Sequence, residues 1–368
     1  MSLASSTKRN IYLVIPQFKT GGGNRVFVEL ANVLAEEHSV TIIFPNNTED
    51  SHTFFVSPKI KIQPIGAIAL TKSKKLINLF QCIRYINRHC KDGNVIITDP
   101  FMCLLGFMIK VPRLYRFVQA DDYRIFDDKM ILKNDLMLAT YKRLCERSYR
   151  FRMNYIFNSS YTYQRFIEVS KTSVPYLLVH PALNHDVFNN RNRIPAGTNA
   201  KINIALIARK HPWKGFTTFL EVWKQLDEEV KQSINKVSLI SHDDLSSFPV
   251  EQFQLVKPQS DHEIADVMRQ SDIFISTSWW EGFGLPPLEA MACGCAVITS
   301  KSGGVDEYAR DDKNCLMYEP KNVEQLKQAI ERLLKNRHEI YCIANEGVES
   351  SKQFSWTNSA RQLLEIIQ

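Results

Sequence analysis

Apolar runs of five or six residues recur along the chain, each closed by glycine, proline or a small polar residue and followed by a stretch with helical spacing. Runs this short and rich in Val and Ile read as buried strands. Residues 11–16 (IYLVIP) lead into Thr20-Gly21-Gly22-Gly23, after which Val26, Leu30, Val33 and Leu34 recur at the intervals of one helix face. Further strands are predicted at 40–45, 94–98, 115–120 and 155–160, with helices over 74–90 and 136–149 between them. The alternation restarts at 202–208 and continues at 237–241, 273–277 and 296–300. Alternating strands and helices predict the α/β class with parallel sheets. The restart predicts two Rossmann-like, doubly wound domains facing across a cleft: residues 8–184, a polar linker at 185–200, residues 201–352, and a closing helix at 353–368 that packs back on the first domain. In such sheets ligands bind beyond the carboxyl ends of the strands.

A length of 368 residues suits two domains, and 44% hydrophobic with 23% charged residues is a globular profile. The opening MSLASSTKRN lacks a signal peptide's apolar core, and the most apolar run, 101–109, is about half of what a membrane span needs. A cytoplasmic location is therefore expected. The eight cysteines form no C-x-x-C pair, and Cys293-Gly-Cys295 reads as two small buried positions rather than a metal or redox site. A net charge of +7 points to an anionic partner, which leaves nucleic acid, acidic lipid and phosphorylated substrates open.

Two post-strand loops carry the candidate chemistry. In EGFGLPPLEAMACGCAVITS (281–300), Pro286-Pro287 open a helix, which puts Glu289 in its first turn. The glycines of the loop allow close backbone approach and aim free amides at a ligand, with Glu281 across the loop. Spacing alone leaves two readings open: a ligand site, or a helix-capping Glu289 beside a solvated Glu281. After 202–208, ARKHPWKG places Arg209, Lys210 and Lys214 on one loop, which could clamp a diphosphate or merely be solvated surface.

In this order the motifs resemble those of the retaining glycosyltransferases of family 4, the GT-B glycosyl transferases group 1. Glu281 and Glu289 match that family's E-x7-E signature, ARKHPWKG its donor-phosphate loop, KSGGVDEY (301–308) the following turn that ends at Glu307, and FSWTNSARQLLEII (354–367) its closing segment. The resemblance implies transfer of a sugar from a nucleotide-diphosphate sugar to a hydroxyl of a glycan or lipid-linked acceptor, in bacterial polysaccharide or glycoconjugate synthesis. It implies that Glu289 holds the ribose and that Glu281 lies beside the transferred sugar. The amides of Phe283, Gly284 and Leu285 would meet sugar hydroxyls, Arg209 and Lys214 would hold the diphosphate, and Gly22 and Gly23 of the first, acceptor-side domain would approach it. No cofactor and no metal are implied. The sequence contains no D-x-D triplet, and the pairs Asp121-Asp122, Asp127-Asp128, Asp243-Asp244 and Asp311-Asp312 read as surface or capping acids.

The sequence departs from the family where a histidine usually follows a strand of the first domain. Residues 116–126 read RFVQADDYRIF, so Gln119 or Asp121 takes that place as a sugar or acceptor contact. Trp279 and Trp280 either stack on a sugar or pack. Between Lys72 and Lys91 six Lys or Arg occur without an acid; helical spacing puts Arg84, Arg88 and Lys91 on one face and Leu76, Phe80 and Ile83 on another. Lys142, Arg143, Arg147, Arg150 and Arg152 form a second basic run. Both read either as solvated faces or as peripheral contact with an anionic membrane at its inner face; nucleic acid is not the expected partner. An epimerase or phosphorylase on the same fold, and a non-catalytic carbohydrate-binding protein, are the rival functions.

Overall fold

Two parallel six-stranded sheets organise the chain, and both are wound in the same order. The computed structural model describes residues 8–19, 21–47, 55–69, 71–129, 134–191, 193 and 201–367. The first sheet contains β1 (Asn10–Val14), β2 (Ser39–Pro45), β3 (Lys61–Ile65), β4 (Asn94–Ile97), β5 (Arg113–Val118) and β6 (Asn154–Phe157), in the order β3-β2-β1-β4-β5-β6. Its helices are α1 (Gly22–Leu34), α2 (Lys72–His89), α3 (Pro100–Leu104), α4 (Asp135–Ser148) and α5 (Ser160–Ser170). The second contains β7 (Ile202–Ile207), β8 (Ile234–Ile240), β9 (Gln254–Val256), β10 (Ile273–Ser276), β11 (Ala296–Ser300) and β12 (Leu316–Tyr318), in the order β12-β11-β10-β7-β8-β9. With it come α6 (Phe216–Gln225), α7 (Glu228–Gln232), α8 (Asp261–Arg269), α9 (Leu285–Ala292), α10 (Val323–Lys335) and α11 (Arg337–Ser351), and α12 (Trp356–Ile366) closes the chain. In each sheet the winding reverses between two adjacent strands, β1 and β4 in one, β7 and β10 in the other. These are the topological switch points at which doubly wound sheets open a crevice.

Burial explains which strands the apolar pattern could reveal. β4 and β11 are buried along their whole length, and β2 at every position but its first. The three strands without a clear apolar run, β3, β9 and β12, are all sheet edges. β3 also carries Pro64, which an edge strand accommodates because one side of its ladder is unpaired. β6 stops at Phe157, short of the run to 160, because Ser159 turns away to cap α5: its hydroxyl takes the Thr162 amide while Thr162 returns a bond to the Ser159 amide.

The chain divides into two compact units, one running to Pro181 and taking α12, the other running from Ala182 to Ser355. In the first, Arg9 donates to the carbonyls of Leu364 (2.7 Å) and Ile367 (3.3 Å), and Gln362 accepts the His180 amide at 3.1 Å, which fastens α12 to it. Where a linker was expected, Val187 and Phe188 are buried among Leu288, Met291 and Cys293 of the second unit, and Arg193 donates to the Ser271 carbonyl at 2.6 Å. A polar composition concealed two apolar anchors; residues 192 and 194–200 lie outside the described residues.

Arg116 on β5 is fully buried, where it pairs with Asp122 at 3.3 Å, donates to Ser148 Oγ at 2.8 Å and lies 4.4 Å from the Tyr149 ring centre. Burial pushes the Asp122 carboxyl up to about 6 even with the Arg116 guanidinium beside it. Asp121 is buried and Asp122 partly so, which makes neither of them the solvated surface acid that was expected. Replacing Arg116 by Met strands the Asp122 carboxyl beside an apolar chain, and thermal or urea unfolding is expected to register a loss of about 3 kcal/mol.

Candidate active site

Because β7 and β10 are neighbours in the sheet, the loops that leave their carboxyl ends are neighbours as well. Backbone and hydroxyl bonds lock them together: the Trp279 amide donates to the Trp213 carbonyl at 2.7 Å, and Thr277 Oγ1 donates to the Lys214 carbonyl at 2.8 Å. A third loop, after β11, joins them. Its Ser302 carbonyl takes the Glu281 amide at 2.8 Å, while the Glu281 carbonyl takes the Gly304 amide at 3.0 Å. Two glycines make this fit possible. Gly215 has φ +66°, and a Cβ there would sit 1.9 Å from the Thr277 carbonyl oxygen; a Cβ on Gly304 would lie 2.3 Å from the Gly282 backbone.

The locked loops bring Lys214 and Glu281 together. Lys214 Nζ lies 2.6 Å from Glu281 Oε1, and Ser278 Oγ donates to the same oxygen at 2.7 Å. Both side chains are partly exposed. An aromatic stack braces the region: His211 on Trp213 (centroids 4.5 Å apart) and Trp213 on Trp280 (5.5 Å). Lys321 Nζ sits 3.9 Å over the Trp279 ring, so both tryptophans of the sequence pattern pack against protein. Two buried groups flanking Glu281, Trp279 Nε1 and Ser302 Oγ, have no hydrogen-bond partner among the described residues. Such leftover capacity is uncommon in a folded interior.

Arg209, on the same loop as Lys214, is held by a residue that the sequence reading set aside. Asp243 Oδ2, in the loop after β8, accepts from Arg209 Nε at 3.0 Å and from the Lys210 amide at 2.8 Å. Burial alone would raise the Asp243 carboxyl's pKa, but the Lys210 amide, the Arg209 guanidinium and nearby His211 hold it below the usual carboxylate range. Ser278 and Asp243 are thus the two side chains at the site that spacing did not reveal. The one signal was a hydroxyl or an acid directly after a strand.

The head of α9 differs from expectation in one respect. The helix begins at Leu285, so Glu289 is its fifth residue, and its first turn holds no acid. Glu289 therefore lies one residue past the first turn in which it was expected. It is buried. Pro286 and Pro287 carry no N–H, which leaves the Gly284 and Leu285 amides at the helix head. Gly284 has φ +84°, and its carbonyl takes the Tyr308 hydroxyl. The Phe283 side chain is buried 5.5 Å from the Tyr308 ring, so only its backbone could serve a ligand.

In the first unit the corresponding switch point gathers Gly22, Gly23, Thr98 and Gln119. Gln119 Nε2 donates to the Gly23 carbonyl at 3.2 Å and to Thr98 Oγ1 at 3.3 Å, while nothing stands within 4 Å of a Cβ built on Gly22. Asp121 lies elsewhere: its Oδ2 takes the Tyr161 hydroxyl at 2.8 Å and the guanidiniums of Arg124 (3.3 Å) and Arg165 (3.5 Å). Of the two residues considered at the place of the family's histidine, it is Gln119 that meets the glycine turn.

Residues 189–349 match the family model of glycosyl transferases group 1. Over that stretch the chain is similar to the glycosyl transferases group 1 family. Within it lie Arg209, Lys214, Asp243, Glu281 and Glu289. An uncharacterized glycosyltransferase of Methanocaldococcus jannaschii is 36% identical over 103 residues, covering 28% of this chain and 29% of that protein. The chain aligns with this relative, and with two D-inositol 3-phosphate glycosyltransferases of Rhodococcus, over under a third of their length. The fold extends further. Sucrose-phosphate synthase from Thermosynechococcus elongatus aligns over 98% of both chains with a TM-score of 0.78 at 16% identity. HepE of Anabaena, solved in complex with UDP-glucose, aligns over 97% of this chain and 99% of its own with a TM-score of 0.69 at 13% identity. These likenesses are ones of fold, and the fold is GT-B.

Gly215→Ala is expected to destabilise the loop after β7, because the new methyl meets the Thr277 carbonyl and the left-handed φ is strained. Thermal unfolding should record a loss of about 1–3 kcal/mol. An unchanged melting temperature would mean that the two loops are not locked as described.

Proposed function

We propose that the chain is a retaining, metal-independent glycosyltransferase of family 4 that moves a sugar from a nucleoside-diphosphate sugar to a hydroxyl of a glycan or lipid-linked acceptor. The observation that carries this reading is the Lys214–Glu281 pair at 2.6 Å, on two loops of the stretch similar to the group 1 family, at the switch point of its sheet. The HepE complex with UDP-glucose, on the same fold, supports a nucleotide sugar as donor. Lys214 and Arg209 would hold the diphosphate, Glu289 the ribose, and Glu281 with the backbone of Phe283, Gly284 and Leu285 the transferred sugar. The bond from the anomeric carbon to the phosphate oxygen breaks while the acceptor oxygen bonds to the same face of that carbon, and the acceptor's proton passes to the departing phosphate oxygen. Fixed cations stabilise the charge that develops there, which is the largest contribution such a site can make. A hydrolase would also want carboxylates but has no use for Arg209 and Lys214.

A second element of the reading concerns α2. Leu76 and Phe80, which helical spacing put on one face with Ile83, are exposed at 53% and 42%, whereas Ile83 is buried. They form one i, i+4 row with Arg84 and Arg88, so apolar and cationic side chains share the outward face, with Ile77 exposed beside them. In the second basic run, Lys142 is already paired with Asp127 at 2.6 Å. No helix among the described residues is long and apolar enough to cross a membrane. A face of this kind suits peripheral contact with anionic lipid, where a lipid-linked acceptor would be presented.

A panel of nucleotide sugars with candidate acceptors, read by release of the nucleoside diphosphate, tests the central reading. Turnover with at least one donor is expected, and Glu281→Ala and Lys214→Ala should each lower it about a hundredfold. If no donor turns over, or both variants match the parent, the reading fails. Sedimentation with vesicles containing phosphatidylserine tests the second element. Binding should weaken with salt, and the double variant R84E/R88E should abolish most of it, each lost cation being worth roughly fivefold. Equal sedimentation of parent and variant at low salt would refute it.

A further inference from the structure

The three loops already described account for Lys214 and Glu281, but not for why Arg209 is bound the way it is. A guanidinium has donors on two sides: the Nε edge, and the fork of its terminal nitrogens. Asp243 takes Arg209 by Nε alone, at 3.0 Å. Among the described residues the terminal nitrogens of Arg209 make no hydrogen bond or ion pair. The same Asp243 oxygen takes the Lys210 amide at 2.8 Å, so one atom fixes the side chain and the main chain beside it. Asp243 is itself braced. Its amide donates to Ser241 Oγ at 3.0 Å, and the Ser241 amide donates to the Val256 carbonyl at 2.9 Å, which ties the loop to the edge strand β9.

We propose that Asp243 is the positioning residue that turns the Arg209 fork toward the donor's diphosphate. The inference rests on the proposed donor site and adds to it a residue from a loop that carries none of the family motifs recognised in the sequence. A long, flexible arginine loses rotamer freedom when it binds phosphate; a carboxylate that holds its Nε edge in advance has already removed that freedom, while sparing the fork that matches phosphate oxygens. A lysine at position 209 could not be used in this way, because it has no second edge to hold. The rival account makes Asp243 a brace for its own loop, with Arg209 a bystander.

The test is a double-mutant cycle on nucleoside diphosphate binding, with UDP, GDP, ADP and dTDP as probes in calorimetry on the full chain. With whichever diphosphate the parent binds best, Asp243→Ala is expected to weaken affinity about tenfold and Arg209→Ala at least as much. In the R209A background the second change should cost less than twofold, since Asp243 acts through Arg209. Asp243→Asn, which keeps an acceptor oxygen without the charge, should recover part of the loss and guards against a folding defect in the alanine variant. In turnover the donor KM should rise while the acceptor KM stays unchanged. If the single variant binds like the parent, or if its loss is undiminished in the R209A background, Asp243 is not a positioning residue while the donor-site reading stands. If the parent binds none of the four diphosphates and turns over no nucleotide sugar, the donor-site reading fails, and this inference falls with it.

Discussion

The contact between Lys214 and Glu281 is short because neither loop that carries it can move without the other. β7 and β10 pair directly, so their exits are a strand spacing apart, and the winding reversal leaves no helix between them. Across that gap the Trp213 and Lys214 carbonyls receive bonds from Trp279 and Thr277, and the turn after β11 clamps Glu281 on both its amide and its carbonyl. Gly215 and Gly304 are where the backbones touch, at distances that no side chain permits. Geometry of the charged pair is therefore a property of the sheet order and two glycines, and only secondarily of the pair's own attraction. An ion pair left partly in water would contribute about a kilocalorie at most, too little to hold two independent loops in register.

All three cations of the basic loop come with a carboxylate, Lys214 with Glu281, Arg209 with Asp243 and Lys210 with Asp244. The loop is accordingly not the bare positive patch that its sequence suggests. This matters for how such a site would discriminate. An unpaired cluster of cations attracts any anion at long range, whereas cations already paired offer an incoming anion only those hydrogen-bond directions their partners leave open. For Arg209 that direction is the fork. For Lys214 it is whatever the ammonium can present once one of its three protons points at Glu281. Preorganisation of this kind trades raw attraction for orientation, which is what stabilising charge on a leaving group demands.

How much of this could be read in advance divides along physical lines. Central strands announced themselves because both faces are buried, so β2, β4, β10 and β11 are nearly continuous apolar runs, whereas the edge strands β3, β9 and β12 face a different environment on each side and lose the signal. Glu281 and Lys214 stood out through the resemblance of their two loops to family motifs, since spacing alone left each open to a solvated or capping reading. Asp243 was not, since its partner lies 34 positions away and an adjacent acid pair is usually surface. Which side of α2 is buried was hidden for a related reason: its core side holds Asn78 beside Cys82, Ile83 and Ile86, and Asn78 donates to the carbonyls of Asn46 and Ala67, so a polar residue occupies an interior place.

The two sheets share a winding order, and the parallel extends to their switch points with one difference. In the second unit the crossing is closed by charge, Lys214 against Glu281; in the first it is closed by an amide, with Gln119 bridging Gly23 and Thr98 across the exits of β1, β4 and β5. A carboxamide is a neutral group that can both donate and accept, so it joins the glycine turn to its neighbours without imposing a sign on whatever approaches. Charged chemistry is instead drawn away from that point: Asp121, two residues on, is turned inward and tied to Tyr161, Arg124 and Arg165. With glutamine at position 119, the group that bridges the glycine turn and the exit of β4 carries no charge at any pH.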